Sequence, residues 1–209
     1  HRHESAVRDW DSTEEVLSTY YREMRELVAV ATGASRCYAN NHVVRKADGT
    51  TKYTPFMEVH SDFTDRYKRA LVRSLEVGQE LTPTFGVFEE LQREGVRPDE
   101  VRASRVLVVH VWRSVSDFPL RRFPLAVCDG RTVRQEDLIR ETVSGLERYR
   151  MVHSPSQRWY WFPEMRRDEV LLLKGFDSEC PRYAFHSAFE HPDAAGLECG
   201  QDRFSCELR

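Results

Sequence analysis

The fold is decided by residues 168–209, which read DEVLLLKGFDSECPRYAFHSAFEHPDAAGLECGQDRFSCELR. This stretch holds an apolar run at 170–173, a segment at 183–189 that carries His186, and an alternating run at 203–209. Short segments with period-two alternation, separated by turns, are typical of antiparallel strands. The pattern predicts a mainly β chain with helical additions, built as an antiparallel barrel or jelly roll.

Composition limits the class of protein. Charged residues make up 31% of the chain and the formal net charge is −3, so nothing favours binding to nucleic acid or to an anionic membrane. No apolar run is long enough to span a bilayer, and no signal-like segment opens the sequence. The cysteines form no Cys-x-x-Cys pair and are five in number, which favours a reduced, cytoplasmic setting. We expect one domain over residues 1–209, with a helical N-terminal part at 1–35 and a jelly-roll core with inserted helices at 36–209.

Helical spacing is clearest at residues 12–32, where Ser12 and Glu15 fit a capping box and Gly33 supplies the stop. The same signals, applied along the rest of the chain, predict further helices and strands. Helices are expected at 64–78, 85–93 and 132–149, and strands at 37–44, 56–63, 105–113, 125–128 and 159–162.

Candidate metal ligands lie in the predicted strand 56–63, which contains His60-Ser61-Asp62. Residues two apart in a strand point to the same face, so the imidazole and the carboxylate are brought together. With a distant histidine they make the donor set of non-haem Fe(II) oxygenases, which leaves metal positions open for other ligands. The pair alone is weak evidence, because His191-Pro192-Asp193 is a second one. That second pair contains a proline, and no histidine follows it.

The third ligand is sought among the histidines that follow His60. His186 is favoured because the next predicted strand carries Arg203 and, two residues later, Ser205. A guanidinium and a hydroxyl on one strand face suit the far carboxylate of a dicarboxylate. The other candidates are His110, which is typical of a hydrogen-bonded core histidine, His153, which is the reserve ligand, and His191.

In the order of its motifs the chain resembles the Fe(II)/2-oxoglutarate-dependent oxygenases; these motifs are HSD (60–62), DEVLLLKGFDS (168–178), FHSAF (185–189) and RFSCE (203–207). Within that family it is similar to bacterial and fungal tailoring hydroxylases and desaturases. This group includes the fungal gibberellin desaturase, a cephamycin-pathway protein and an aziridine-forming amino-acid oxidase. The closer likeness rests on VWRSVSDFPLRRFPLAVCDGRTV (111–133), QRWYWFPEMRRDEVLLLKGFDS (157–178) and FHSAFEHP (185–192).

The resemblance implies a double-stranded β-helix, cupin-like fold. It implies an oxidoreductase that uses Fe(II) and 2-oxoglutarate to hydroxylate, desaturate or cyclise an unactivated C–H position in a small molecule, such as an amino acid or natural-product intermediate. His60, Asp62 and His186 would bind iron, and Arg203 and Ser205 would hold 2-oxoglutarate. The implied partners are the substrate and dioxygen, and a homodimer is compatible with the first helix. Relatives carry more chain before that helix, so we expect a trimmed N-terminus.

Two departures from the family pattern concern the pocket wall. Ser114 follows Trp112-Arg113 where the family usually has proline, and Gln157 stands where a histidine usually precedes Arg-Trp-Tyr. The substrate therefore stays open. The candidate substrate contacts are Arg113, Arg158 and Tyr160, although such arginines are usually solvated or ion-paired and such aromatics usually pack.

Other functions remain open from the residues alone. An iron oxidase of the same fold could act without 2-oxoglutarate, and a cupin-like isomerase or hydrolase could use another divalent metal. A non-catalytic jelly-roll binding protein would use the polar trio only structurally.

Overall fold

The computed structural model of the protein describes residues 1–192, 194 and 202–209. These residues form ten strands. The strands predicted at 105–113, 125–128 and 159–162 are present, whereas the one predicted at 37–44 begins later and the one at 56–63 is only two residues long. The strands are β1 (His42–Lys46), β2 (His60–Ser61), β3 (Leu107–Ser114), β4 (Leu125–Cys128), β5 (Leu138–Val143), β6 (Leu146–Met151), β7 (Trp159–Trp161), β8 (Leu171–Asp177), β9 (His186–Ala188) and β10 (Phe204–Leu208).

The strands pair into two antiparallel sheets. One has four strands in the order β1-β10-β3-β8, and the other has six in the order β5-β6-β2-β9-β4-β7. Side chains from both sheets meet in a shared core, where Trp112 and Leu173 of the first sheet pack with Leu125 of the second. Two facing antiparallel sheets with long crossovers are the architecture of a jelly roll. The predicted fold class, mainly β with helical additions, is confirmed.

A helical segment from residue 13 to 32 covers the other face of the four-stranded sheet. Ser12 accepts a hydrogen bond from the backbone N–H of Glu15, and Gly33 ends the segment at a φ of 72°, which glycine adopts without steric cost. Tyr20 and Met24 are buried against the sheet. The helix predicted at 12–32 is confirmed. Its parts are α1 (Thr13–Glu15), a π-helical stretch (Val16–Tyr20) and α2 (Tyr21–Thr32).

Three shorter helices pack together through Leu71, Leu91 and Val101. The helices predicted at 64–78 and 85–93 are present, and the third was not predicted. They are α3 (Tyr67–Val77), α4 (Val87–Arg93) and α5 (Pro98–Ala103).

The helix predicted at 132–149 is wrong. After a 3-10 turn at Gln135–Asp137, this segment forms the hairpin of β5 and β6. Ser144 and Gly145 connect the strands at φ values of 50° and 81°, and a two-residue turn with both residues at positive φ is a favoured hairpin connection. The Ser-Gly dipeptide between two runs of mixed β-prone residues was the signal for this hairpin. Helical spacing of a few apolar residues masked it.

A buried carboxylate ties the end of β8 to the start of β3. The side chain of Asp177 is fully buried and accepts hydrogen bonds from Arg105 at 3.1 and 2.8 Å and from Lys174 at 3.2 Å. The hydrogen bonds from Arg105 hold the pKa of Asp177 well below its usual range. Charge-assisted bonds of this kind are stronger than neutral ones, so this contact helps fix β3 beside β8.

We expect Asp177→Asn to lower the free energy of unfolding at pH 7 by about 1–2 kcal/mol. The amide removes the buried negative charge that Arg105 and Lys174 share, and half-exposed Arg105 keeps only its 3.6 Å contact with Glu179. Urea unfolding measures the change. A depressed aspartate pKa stabilises the fold above the unfolded pKa of about 3.9, and this contribution is lost as pH falls toward the folded value. The difference from wild type should therefore shrink below about pH 4.

Asp117→Asn is the matched control, because Asp117 also pairs with an arginine but its side chain is 88% exposed. It should change stability little. Equal losses in the two variants would contradict a specific role for the buried carboxylate.

Candidate metal centre

Three buried side chains meet on the face of the six-stranded sheet that points toward the other sheet. His60 in β2 and His186 in β9 are direct cross-strand neighbours, and Asp62 follows the end of β2. One donor atom from each residue lies within 4.8 Å of the others. His60 Nε2 is 3.6 Å from Asp62 Oδ1, and the two imidazole centroids are 4.5 Å apart. The structure thus brings together the three residues predicted as metal ligands.

Both histidines are held in the tautomer that a metal requires. Nδ1 of His60 donates to the backbone carbonyl of Glu58 and Nδ1 of His186 to that of Ala184, each at 2.8 Å. Because a carbonyl only accepts, Nδ1 carries the proton and Nε2 keeps its lone pair. Metal-binding histidines commonly make such a bond through the remote nitrogen. Burial, with His60 alongside, lowers the pKa of His186 to about 4, so this ring is neutral at pH 7.

The donor set fits a divalent transition metal. Burial raises the pKa of Asp62, but Arg209 and His110 outweigh it and hold that pKa below its usual range. The cluster therefore offers two imidazole nitrogens and one carboxylate. This is the two-histidine, one-carboxylate set that suits Fe(II) and leaves coordination positions for other ligands.

The predicted co-substrate residues lie at the start of β10 and point into the same interior. Arg203 is 3% exposed, stacks on the Trp112 ring at 5.0 Å, and donates to Ser205 Oγ at 2.9 Å and to the carbonyl of Phe123 at 3.0 Å. Burial lowers its pKa to about 9, with Arg45 adding repulsion. Among the described residues, no carboxylate lies within ion-pair distance of it. A buried cation without a counter-charge is costly, so this site fits an anionic ligand.

The predicted substrate contacts separate in the structure. Tyr160 in β7 shares a sheet face with His186, because Val127 pairs with both. Arg113 is fully buried on the opposite face of β3, between the rings of Trp10 and Tyr20. Its guanidinium donates to the carbonyl of His3, so Arg113 packs the N-terminal segment and is not brought to the metal cluster.

Arg158, the other predicted substrate contact, is exposed and immediately precedes β7. Its backbone N–H donates to Thr132 and its carbonyl accepts from Asp129. The reserve ligand His153 is exposed in a loop and does not belong to the cluster. In the second His-x-Asp pair, Asp193 lies outside the described residues, as does Cys199.

A family model described as "Oxidoreductase/YMDC permease-like domain" matches residues 1–209. Over 195 residues the chain is 31% identical to the Fe(II)/2-oxoglutarate-dependent dioxygenase nvfI of Aspergillus novofumigatus, covering 87% of this chain and 62% of that protein. Over 217 residues it is 27% identical to the hydroxylase/desaturase efuI of Hormonema carpetanum, covering 86% and 67%. The solved iron and α-ketoglutarate-dependent endoperoxidase NvfI matches with a TM-score of 0.74 and 27% identity, over 95% of this chain and 69% of that one.

The chain belongs to the Fe(II)/2-oxoglutarate-dependent dioxygenases. This confirms the predicted family and enzyme class. The predicted cofactors, Fe(II) and 2-oxoglutarate, are the ones named in the descriptions of these relatives. The dioxygenase chain spans 62% of the length of nvfI. Within the part of the chain that the structure describes, no helix is long and apolar enough to cross a membrane.

Sequence reasoning missed two charged residues of this dioxygenase site. Glu207 is buried on β10, and Arg209 follows it; both lie beside Asp62. His110 is buried and hydrogen-bonded, as predicted, but its partners are these site carboxylates. The signal was present, because Arg203, Ser205, Glu207 and Arg209 alternate along one strand and so share a face.

A third missed residue comes from the mispredicted hairpin. Arg150 in β6 is the cross-strand neighbour of His60 and therefore lies on the metal face. Its side chain is 50% exposed, and among the described residues its ion-pair partner is Glu141, at 3.9 Å. A helix over 132–149 hid this position, because only strand pairing reveals it.

We expect His186→Ala to weaken Fe(II) binding by more than about 100-fold, because losses of groups that merely support a ligand already cost 10–100-fold. Anaerobic calorimetric titration of the apo-protein with Fe(II) measures this. His153→Ala is the matched control, since that histidine is exposed and outside the cluster. If both variants bind Fe(II) like wild type, the cluster does not hold the metal.

Proposed function

We propose that this chain uses Fe(II) and 2-oxoglutarate to oxidise an unactivated C–H position in a small molecule, an amino acid or a natural-product intermediate, by hydroxylation, desaturation or ring closure. The observation that carries the proposal is the buried guanidinium of Arg203, which has no ion-pair partner among the described residues and lies in the same interior as a two-histidine, one-carboxylate set. The names of the fungal relatives, a dioxygenase, a hydroxylase/desaturase and an endoperoxidase, support this class of reaction.

His60, Asp62 and His186 would hold the metal through Nε2, one carboxylate oxygen and Nε2. Bound Fe(II) supplies the dioxygen chemistry that amino-acid side chains lack. The protein contributes the fixed geometry of the ligands, since each imidazole is oriented by a backbone carbonyl. It also excludes water, because all three ligands are at most 9% exposed.

Arg203 and Ser205 would hold the carboxylate of 2-oxoglutarate that is remote from the metal. The guanidinium plane is fixed by the Trp112 ring and by the bonds to Ser205 and Phe123. A planar guanidinium binds a carboxylate through two parallel hydrogen bonds. Ser205 Oγ accepts from Nε of Arg203, so its own hydroxyl hydrogen is free to donate to the same carboxylate.

The substrate would lie along one row of residues that crosses the whole six-stranded sheet. Cross-strand partners link all members of this row on one face, and neighbouring strands are about 4.8 Å apart. Two of its polar members, Arg150 and Tyr160, lie on opposite sides of the histidine pair. The row consists of Ile139, Arg150, His60, His186, Val127 and Tyr160.

Arg150 and Tyr160, on either side of the histidines, favour a substrate with an acidic group on one side. Arg150 lies next to His60 and is only weakly compensated by Glu141 at 3.9 Å. Tyr160, 53% exposed, offers a ring and a hydroxyl at the other end. An acid at Arg150 would place the carbon skeleton across the histidine pair and toward Tyr160.

We expect Arg203→Ala to raise the 2-oxoglutarate concentration needed for half-saturation by about 10- to 100-fold, because a charge-assisted pair contributes about 1.5–3 kcal/mol. The measurement is an anaerobic titration of the Fe(II)-loaded protein, followed by the visible charge-transfer absorbance of metal-chelated 2-oxoglutarate.

Arg140→Ala is the control for this titration, since Arg140 pairs with Tyr149 and Asp65 away from the site. If Arg203→Ala needs no more 2-oxoglutarate than the control, then Arg203 does not hold it. If wild type binds Fe(II) but develops no absorbance, an iron oxidase independent of 2-oxoglutarate replaces the proposal.

We expect Arg150→Gln to lose most of the stimulation of 2-oxoglutarate turnover that carboxylate-bearing compounds produce, because it removes the weakly paired cation beside the metal. Release of succinate across a panel of matched acids and their amides measures this. Arg131→Gln is the control, because Arg131 binds Asp129 in a turn. Equal stimulation by acids and amides in wild type would contradict an acidic substrate.

A further inference from the structure

Four buried charged or polar side chains form a closed network behind the metal cluster. Asp62 Oδ2 accepts a hydrogen bond from Arg209 at 3.0 Å and lies 3.3 Å from His110 Nδ1. Glu207 Oε1 lies 3.2 Å from the same His110 nitrogen and 2.9 Å from Arg209. Two carboxylates thus share two donors, and each donor contacts both carboxylates. None of the four side chains is more than 14% exposed.

The two carboxylates of this network face the same two donors, Arg209 and His110. Burial raises the pKa of Glu207, but Arg209 and His110 outweigh it and hold that pKa well below its usual range. His110 faces two anionic oxygens through Nδ1, and such oxygens only accept. Nδ1 therefore carries a proton and bridges the two acids.

Gly175 of β8 makes room for the His110 ring. A Cβ built on Gly175 would lie 2.6 Å from His110 Nε2 and 2.9 Å from its Cδ2, which is too close for any side chain at this position. Nε2 has no hydrogen-bond partner among the described residues, so the ring is held from the Nδ1 side and by its packing. A glycine at this point of β8 allows His110 to reach Asp62.

In this network the two carboxylate oxygens of Asp62 have different contacts. Oδ2 is occupied by Arg209 and His110, whereas Oδ1 points to His60 at 3.6 Å. A carboxylate with both oxygens free can bind a metal through both and take one further coordination position. An occupied Oδ2 leaves Asp62 one oxygen for the metal and keeps that position for co-substrate and dioxygen.

The three groups Asp62, His110 and Glu207 could alternatively be read as a second metal site, since their donor atoms also lie within 4.8 Å of one another. The guanidinium of Arg209 argues against this reading. It already lies at 3.0 and 2.9 Å from one oxygen of each carboxylate and supplies the positive charge that a second ion would bring.

We propose that Glu207 is a positioning residue, which holds His110 and Arg209 against Oδ2 of Asp62 and so makes Asp62 a one-oxygen ligand. The proposal rests on the metal ligands of the proposed function. Glu207 itself does not touch the metal. It acts through two donors, His110 and Arg209.

The test uses Glu207→Leu, which removes the acid, Glu207→Gln, which keeps its shape and one acceptor, and Gly175→Ala, which displaces His110 without changing any charge. Fe(II) affinity and the charge-transfer band with 2-oxoglutarate are measured anaerobically on each variant. We expect Glu207→Leu and Gly175→Ala to weaken Fe(II) binding by about 10- to 100-fold and to shift or weaken the band per bound iron. Glu207→Gln should recover part of both.

Glu147→Gln is the control, because Glu147 also binds an arginine and a hydroxyl but lies outside the network. Wild-type affinity and band in both Glu207→Leu and Gly175→Ala would overturn the inference while leaving the proposed function intact. Two Fe(II) ions per wild-type chain would overturn it in favour of the second metal site. No Fe(II) binding by wild type would overturn the proposed function, and the inference with it.

Discussion

The pairing of β2 with β9 is the contact on which the rest of the site depends. β2 has only two residues, yet its pairing sets His60 directly opposite His186. A shift of one residue in this register would turn one imidazole to the other face of the sheet. The register is supported from the far face, where Tyr149 is the partner of Ser61 and packs with Phe185 and Tyr183. A short strand can carry the ligands because its neighbours are anchored independently.

Charge is distributed unevenly inside the jelly roll. Asp62 and Glu207 are each matched by Arg209 and His110 at distances of 2.9–3.3 Å. Arg203, on the same strand as Glu207, has no such partner among the described residues. Between the two sheets, the surroundings of Arg203 therefore favour an additional anion.

The fold and the metal cluster were accessible from sequence because they depend on local patterns. The alternating run at 203–209 and the ordered set of His60, Asp62 and His186 survive small errors in strand boundaries. The hairpin at 138–151 was missed because its apolar residues also fit helical spacing. Because of that error Arg150 was not recognised as a neighbour of His60, since cross-strand partners cannot be inferred for a segment that is predicted to be a helix. Glu207 was overlooked for a different reason: an isolated acid near a chain end is usually solvated.

In the row that crosses the six-stranded sheet, the residues proposed to bind the metal and the residues at its two ends stand on different strands. His60 and His186, the histidines proposed as metal ligands, stand on its central strands, which are flanked on both sides, whereas Ile139 and Tyr160 stand on the outermost strands, β5 and β7. An outermost strand has a neighbour on one side only, so side-chain changes there disturb less packing than changes at the centre. Amino-acid substitutions are thus tolerated more easily on the outermost strands than on the central ones. A lineage built on this scaffold can acquire a new substrate while its oxidation chemistry stays the same.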